Sequence, residues 1–250
     1  MFFLCESNIL LNMEKITIDG FLGGRVRLKQ FQVGYRATSD SVLVSASVPV
    51  RMGQTVLDVG AGTGVIGMCL NARCPNLKIT ALEIQPELID LGCENAVLNG
   101  ADMQFISGDV SKGVPELIGI QFHHVVTNPP FYTEEFSRLN PQSAIAFSQK
   151  CSLKRWIDFC LRHLRAKGSF CMIHRTESLP EILSVLNGRL GAIEVFPIEP
   201  KQGISSKRIV VRGIMNSKAP FVLRSPLVMH ETDNSRTSFA EGIMRFGKTY

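Results

Sequence analysis

The feature that most constrains the fold is an apolar segment that runs directly into a glycine-rich turn, Val-Leu-Asp-Val-Gly-Ala-Gly-Thr-Gly at residues 56–64. A helix-like segment, Val65–Cys74, follows at once. Glycine permits positive φ and carries no Cβ, so a ligand can approach this backbone closely. The helix N-terminus offers free N–H groups to such a ligand. The pattern predicts a buried strand, a tight turn and a helix, and the turn either binds a nucleotide or only packs closely.

Strand-like and helix-like segments alternate along most of the chain, which predicts a Rossmann-like, doubly wound α/β sheet with mostly parallel strands. The seven predicted strands are Thr55–Val59, Lys78–Glu83, Met103–Gly108, His123–Asn128, Ser169–His174, Ile193–Ile198 and Arg208–Ile214. The predicted helices are Val65–Cys74, Pro86–Leu98, Leu153–Ala166 and Leu179–Leu190.

The connection between the last two predicted strands breaks this rhythm. Only residues 199–207 separate Ile193–Ile198 from Arg208–Ile214. A crossover between parallel strands needs about a dozen residues or more, so this connection is too short for one. The pair is therefore predicted to be an antiparallel hairpin at the end of the sheet, with the last strand reversed.

The first fifty residues differ in pattern from the rest. Ile16–Phe31 alternates around Gly23-Gly24 and predicts a β-hairpin. Ser39–Val48 predicts a short helix that Ser39 caps. We expect residues 1–12 to be poorly ordered or to lie upstream of the true start. The predicted division is an N-terminal extension (1–50), a core (51–215) and a basic C-terminal segment packed on the core (216–250).

Charge and cysteine content narrow the function classes. The chain carries a net charge of +5, and residues 200–250 hold nine Lys or Arg against three acids. Such a segment is either a solvated surface or a site for a polyanion such as RNA. The seven cysteines form no Cys-x-x-Cys pair, which argues against a zinc site and favours a reducing cytoplasm. No apolar run is long enough to cross a bilayer, so no membrane partner is expected.

Acidic residues stand at the ends of three successive predicted strands. Asp58 precedes the glycine turn, and Glu83 ends the second strand, 19 residues after Gly64. A carboxylate there can accept hydrogen bonds from both hydroxyls of a ribose. Asp109 follows the third strand and either accepts from an adenine amino group or caps the segment that begins at Ser111.

The fourth predicted strand ends in Asn128-Pro129-Pro130-Phe131-Tyr132. The prolines restrict the backbone where the crevice opens, which fixes the Asn128 side chain and leaves the Pro129 carbonyl free of strand pairing. The Asn128 amide oxygen is an acceptor, and Phe131 or Tyr132 offers a face on which a planar base can stack.

Together these motifs resemble those of class I S-adenosylmethionine-dependent methyltransferases that modify nitrogen attached to a planar group. The resemblance implies a seven-stranded sheet with a reversed last strand. It also implies that S-adenosyl-L-methionine is the cofactor and that Asn128 and the Pro129 carbonyl hold the target amine, with Phe131 beside it. The cofactor-binding set that it implies is Asp58, Gly60, Gly62, Gly64, Glu83, Ile84, Asp109, Val110 and Asn128, with no metal.

Further segments resemble the bacterial tRNA1(Val) adenine-N6 methyltransferase family, which modifies the adenine next to the anticodon. The similar segments are 19–24, 29–31, 34–37, 40–43, 212–213 and 226–231. The chain departs from the family's usual Thr-Asp-Gly, which is Ser39-Asp40-Ser41 here. Tyr35 and Arg36 either line the cofactor pocket or only connect the hairpin to the helix.

The predicted function is therefore methylation of the exocyclic N6 of an adenine in tRNA by a cytoplasmic monomer or homodimer. The alternatives are an N-methyltransferase acting on rRNA guanine N2 or on a protein glutamine amide, a DNA adenine methyltransferase, a non-catalytic RNA-binding relative and a nicotinamide-dependent oxidoreductase. The last would need a diphosphate-binding turn and a hydride partner, and neither is visible in the sequence.

Overall fold

A computed structural model of the chain describes residues 15–130 and 151–250. The strands are β1 (Ile16–Phe21), β2 (Val26–Phe31), β3 (Thr55–Val59), β4 (Lys78–Glu83), β5 (Met103–Ser107), β6 (Phe122–Thr127), β7 (Leu164–Arg175), β8 (Leu190–Lys201), β9 (Arg208–Met215), β10 (Val222–Leu223) and β11 (Leu227–His230). The α-helices are α1 (Ser39–Ser47), α2 (Val65–Arg73), α3 (Pro86–Leu98), α4 (Leu153–Arg162), α5 (Leu179–Leu186) and α6 (Ser238–Met244).

One large mixed sheet organises the chain, in the order β10-β8-β9-β7-β6-β3-β4-β5, with β11 also paired to β8. The doubly wound α/β class is confirmed, and all seven predicted strands are present. β9 is antiparallel to both β7 and β8, so the reversed strand is confirmed too. β9 lies between β7 and β8, so the reversed strand is inside the sheet rather than at its end. Its central residues Val210 and Val211 are fully buried, as a strand covered on both faces requires.

Several predicted boundaries were wrong. The helix predicted over Leu153–Ala166 ends at Arg162, because Leu164 already pairs with Phe122 in the sheet. α5 ends at Leu186 rather than Leu190, since Leu190 pairs with Met215 in β8. The cap of α1 is Thr38 rather than Ser39.

The N-terminal cap of α1 shows why that assignment failed. The Thr38 hydroxyl accepts a hydrogen bond from the Asp40 N–H at 3.3 Å, and Ser39 is already the first helical residue. Two neighbouring hydroxyl residues can cap the same helix, and the sequence does not distinguish them.

The sheet is covered on both faces. On one face the hairpin β1–β2, α1, α2 and α6 contribute to one apolar cluster, with Leu28, Val44 and Ile243 among its buried members. On the other face α4 and α5 contribute Ile157 and Leu186 to a second cluster. The hairpin therefore shares buried apolar side chains with the main core.

Asn95 of α3 and Asn99, which follows the helix directly, bind the free edge of β2. The fully buried Asn95 accepts from the Lys29 N–H at 2.7 Å and donates to the carbonyls of Lys29 and Thr63. Asn99 makes the equivalent pair of bonds with the backbone of Arg27. Because Thr63 belongs to the glycine-rich turn, Asn95 joins the hairpin, α3 and this turn.

We expect Asn95→Ala to lower the free energy of unfolding by about 3 kcal/mol, because it leaves three buried backbone groups without partners. Val97→Ala on the same helix is the control. Val97 is 84% exposed, and its replacement should change stability by less than about 0.5 kcal/mol. Urea unfolding of both variants measures the difference, and similar losses would contradict the proposed role of Asn95.

Candidate functional site

The glycine-rich turn after β3 has the backbone geometry that the sequence predicted. Gly60, Gly62 and Gly64 have φ values of 73°, 56° and 86°, which side chains other than glycine rarely adopt. A Cβ at Gly60 would lie 3.0 Å from the Trp156 ring, and one at Gly62 would overlap the Tyr35 ring. The turn is therefore closely covered by two aromatic side chains as well as being strained for any other residue.

The carboxylate of Glu83 connects this turn to the one after β4. Its Oε2 accepts from the Gly62 N–H at 2.8 Å. Its Oε1 accepts from the N–H groups of Ile84 at 2.9 Å and Gln85 at 3.0 Å. Burial raises the pKa of Glu83 above its ordinary value, and these three bonds offset part of the increase. Glu83 and Ile84 thus lie together at the carboxyl edge of the sheet.

Asp58 is the least satisfied polar group near the turn. It is fully buried, and neither carboxylate oxygen has a hydrogen-bond partner among the described residues. Burial raises the pKa of Asp58 to about 7, and the nearby Glu83 adds to the increase. The Gly67 N–H partly offsets it without reaching ordinary hydrogen-bond geometry. Burying a carboxylate without hydrogen-bond donors costs free energy, so this site suits a cationic or hydrogen-bonding ligand.

Asp109 lies just beyond β5, where it forms local bonds. Its Oδ1 accepts from the Ser111 N–H at 2.8 Å, and its Oδ2 lies 3.5 Å from Lys112 Nζ. Burial alone would raise the pKa of Asp109, but Ser111 and Lys112 hold it below its ordinary value. Val110 packs against the second apolar cluster. Asp109 therefore caps the segment that begins at Ser111, which is the second of the two roles predicted for it, although no helix begins there.

Asn128 follows directly after β6, opposite the glycine turn. Its Oδ1 is buried and has no hydrogen-bond partner among the described residues, whereas its Nδ2 donates to Ser41 Oγ at 3.4 Å. Pro129 is buried beside it. The remaining residues predicted in this motif, Phe131 and Tyr132, lie outside the described residues, as do residues 1–12.

Tyr35, Ser41 and Trp156 also belong to this region, and sequence reasoning missed the last two. The Tyr35 ring lies on Gly62, and burial together with Glu83 and Asp58 raises the pKa of its phenol. Trp156 packs on Gly60 and donates from Nε1 to Thr127 Oγ1 at 2.9 Å. No local pattern could have indicated Trp156, because α4 reaches β6 only through the fold.

Arg36 has a different role from its neighbour. Its guanidinium donates to Asp19 at 2.6 Å and to the Phe31 carbonyl at 2.6 Å, which joins the two ends of the hairpin. Of the two residues with open roles, Tyr35 therefore lines the site, and Arg36 stabilises the hairpin.

Much of the basic charge of residues 200–250 is paired within the protein. Glu194 lies between Arg212 at 2.8 Å and Arg224 at 2.7 Å. Glu241 pairs with Arg236 and Arg245. Arg208 donates to Asp40 in α1 at 2.9 Å. Five of the nine basic residues in this segment thus contact acids, so the net charge overstates the positive surface available to a partner.

Two classes of site are not seen in residues 15–130 and 151–250. No group of three or more His, Cys, Asp and Glu side chains there is arranged to bind a metal ion. Among the same residues, no helix has both the length and the apolar character needed to cross a bilayer.

Comparison with known proteins agrees with this geometry. The family model of the methyltransferase small domain matches residues 38–201, from the start of α1 to the end of β8. The chain belongs to this family. It is an S-adenosylmethionine-dependent methyltransferase of class I, and the sequence-based identification of the class is confirmed.

Individual relatives differ in what they methylate. The tRNA1(Val) (adenine(37)-N6)-methyltransferase of Actinobacillus pleuropneumoniae is 25% identical over 225 residues, which cover 84% of this chain and 91% of that protein. The release factor glutamine methyltransferase of Deinococcus radiodurans is 40% identical over 76 residues, which cover 30% of this chain and only 26% of that protein.

A solved structure gives the same fold. The crystal structure of a protein from Agrobacterium tumefaciens, described as a predicted O-methyltransferase, has a TM-score of 0.69 and 26% identity. The match covers 84% of this chain and 98% of that one.

The residues present fit S-adenosylmethionine. Next to the glycine turn, Asp58 offers two buried oxygens that have no hydrogen-bond partner among the described residues. The cofactor is cationic, so an unpaired carboxylate in a glycine-lined turn suits its methionine end.

We expect Gly62→Ala to destabilise the protein more than Gly113→Ala. Both positions have positive φ, but a Cβ at Gly113 meets nothing within 4 Å, whereas one at Gly62 overlaps Tyr35. The left-handed backbone costs about 1–2 kcal/mol in both, and overpacking adds about 1–3 kcal/mol at Gly62 alone. Denaturant unfolding followed by the fluorescence of Trp156, the chain's single tryptophan, measures both, and equal losses would contradict the contact.

Proposed function

We propose that this methyltransferase transfers a methyl group to the exocyclic N6 of an adenine in tRNA. The observation that carries the proposal is the buried Oδ1 of Asn128, which has no hydrogen-bond partner among the described residues and stands beside Pro129 at the carboxyl edge of the sheet. An acceptor without a donor suits a substrate that brings N–H groups. The similarity to a tRNA adenine-N6 methyltransferase, which covers 84% of this chain, supports adenine as that substrate.

The cofactor is proposed to lie across the ends of β3, β4 and β5. Asp58 and the glycines at positions 60, 62 and 64 would hold its methionine end. Glu83 with Ile84 would hold the ribose, and Asp109 with Val110 would contact the adenine. Both Glu83 and Asp109 already accept backbone N–H bonds, and a carboxylate has lone pairs left for ligand hydroxyl or amino groups.

The chemistry requires that the protein orient a weak nucleophile. S-adenosylmethionine would supply a methyl group that is activated on a sulfonium, with a neutral thioether as the leaving group, and the methylated nitrogen would then lose one proton to water. Asn128 Oδ1 and the Pro129 carbonyl accept the two hydrogens of the target amine, which favours a pyramidal nitrogen with its lone pair available. Both acceptors stabilise the positive charge that develops on nitrogen, so they act most strongly in the transition state. Phe131 is proposed to stack on the base and help exclude water.

A protein glutamine amide is the second candidate, because the release factor methyltransferase has the higher local identity. Its target also presents an NH₂ group attached to a planar carbon, which the same acceptors could hold. The match spans about a quarter of that relative, whereas the tRNA-modifying relative matches over 91% of its length. Adenine in RNA is therefore preferred, and guanine N2 in rRNA has no specific observation in its favour.

Basic residues lie at the proposed substrate edge of the sheet. Arg175 ends β7, Lys201 ends β8, Lys207 immediately precedes β9 and Arg208 begins it, all at the edge where Asn128 lies. Lys207 is exposed, whereas Arg175 and Arg208 pair with Glu177 and Asp40. This edge is proposed to contact RNA phosphates, in a cytoplasmic monomer or homodimer.

We expect Asn128→Ala to bind S-adenosylmethionine with the affinity of the native protein and to lose at least about a hundredfold in turnover. The loss of one preorganised hydrogen-bond partner of the transition state has an effect of this size in other enzymes. Labelled methyl transfer to tRNA, rRNA and release factor, followed by nucleoside and peptide mass spectrometry, measures the activity. N6-methyladenosine in tRNA is the expected product. Label in the protein or in guanosine would refute the assignment, and full turnover by the variant would refute the role of Asn128.

The affinity for S-adenosylmethionine should rise with pH. The ionised form of Asp58 attracts a cationic ligand, and with a pKa of about 7 its ionised fraction increases about eightfold between pH 6.0 and 7.5. We expect the dissociation constant, measured by calorimetry, to fall by up to this factor. Asp58→Asn should abolish the trend.

The same pKa fixes the sign of the effect on stability. The pKa of Asp58 in the folded protein lies above its value in the unfolded chain. The neutral side chain therefore contributes to the free energy of unfolding at low pH, and this contribution is lost as the pH rises through about 7.

If the affinity of the native protein for S-adenosylmethionine did not change with pH, Asp58 would not face the ligand.

A further inference from the structure

Ser41 has a hydroxyl whose environment differs from that of its neighbours on α1. Ser45 and Ser47 donate to the carbonyls of Val42 and Val44 in their own helix, each at 2.7 Å. The Ser41 hydroxyl instead accepts from Asn128 Nδ2 across the site at 3.4 Å. Ser41 is 1% exposed, so this hydroxyl does not exchange its protein partner for bulk water.

The position of Ser41 is fixed from outside the site. Thr38 caps the helix one turn earlier, and Asp40 pairs with Arg208 of β9. These contacts hold the first turn of α1 against the sheet. Ser41 is therefore a rigid neighbour for Asn128 rather than a mobile one.

The orientation of the Asn128 amide matters for the proposed function, on which this inference rests. A carboxamide turned by half a rotation presents N–H groups where the oxygen was. Two N–H donors facing the target amine would repel it. The amide therefore needs a partner that accepts from Nδ2 and so leaves Oδ1 directed at the substrate.

A serine hydroxyl can donate as well as accept. Because the Nδ2 group of Asn128 is a donor only, its contact with Ser41 Oγ uses a lone pair of the hydroxyl and leaves the hydroxyl hydrogen free to turn away from the amide.

We propose that Ser41 is a positioning residue that accepts from Asn128 Nδ2 and thereby fixes the amide with Oδ1 toward the target amine.

The first test measures the bond itself without any substrate. In protein labelled with ¹⁵N-asparagine, Asn128→Ala identifies the Asn128 side-chain resonance. We expect Ser41→Ala to shift that resonance and Ser47→Ala to leave it in place. The control removes a buried hydroxyl from the same helix and breaks only its bond to Val44. An unmoved resonance in Ser41→Ala would overturn the proposal.

The second test separates positioning from stability. On the substrate identified for the native enzyme, Ser41→Ala should lower kcat about five- to tenfold, the loss expected for one hydrogen bond, with KM for S-adenosylmethionine unchanged. Ser41→Thr keeps a hydroxyl and should recover most of the turnover, and thermal unfolding of each variant shows that it is folded. Unchanged kcat in Ser41→Ala, or equal losses in Ser47→Ala, would overturn the proposal.

Failure of the proposed function gives a different result. If the native enzyme methylates protein or guanosine instead of adenine, the substrate assignment fails, while the resonance and kcat comparisons on the true substrate still decide the role of Ser41.

Discussion

The carboxylate of Glu83 is the interaction on which the site depends. It accepts N–H groups from the turn after β3 and from the turn after β4, and so fixes two loops relative to each other. A buried carboxylate is costly, and the raised pKa of Glu83 reflects that cost. Three backbone donors offset much of it. The geometry of the glycine turn therefore follows from a side chain on the neighbouring strand as well as from the glycines.

The N-terminal hairpin and α1 contribute directly to the site. Asn95 fixes β2 to the glycine turn through its bonds to Lys29 and Thr63. The chain that leaves the hairpin then brings Tyr35 onto Gly62 and Ser41 next to Asn128. The family model begins at residue 38, so the hairpin and Tyr35 precede the matched part, and yet Tyr35 packs on the glycine turn within it.

The paired arginines change how the charge of the protein is interpreted. A net excess of basic residues in the last fifth of the sequence suggested a continuous patch for a polyanion. The fold places Glu194, Glu241 and Asp40 among these residues, and their ion pairs neutralise much of the excess. The basic residues outside these ion pairs are a smaller set, and one of them, Lys207, is exposed just before β9. Charge at this edge of the sheet can steer a substrate more specifically than a diffuse patch.

Short sequence patterns determined the class of fold, the reversed strand and the position of the glycine-rich turn. Apolar segments of strand length, helix starts and glycines that need positive φ are properties of short segments, and they placed Asp58, Glu83 and Asn128 at one edge. Only the tertiary structure decided that β9 lies between β7 and β8, that Trp156 covers Gly60 and that Ser41 faces Asn128. The two side-chain contacts join residues 96 and 87 positions apart, and the place of β9 depends on strand order, so no short segment encodes them. A hydroxyl on an apolar helix has the same appearance in sequence whether it bonds its own helix, as Ser47 does, or reaches across a site, as Ser41 does.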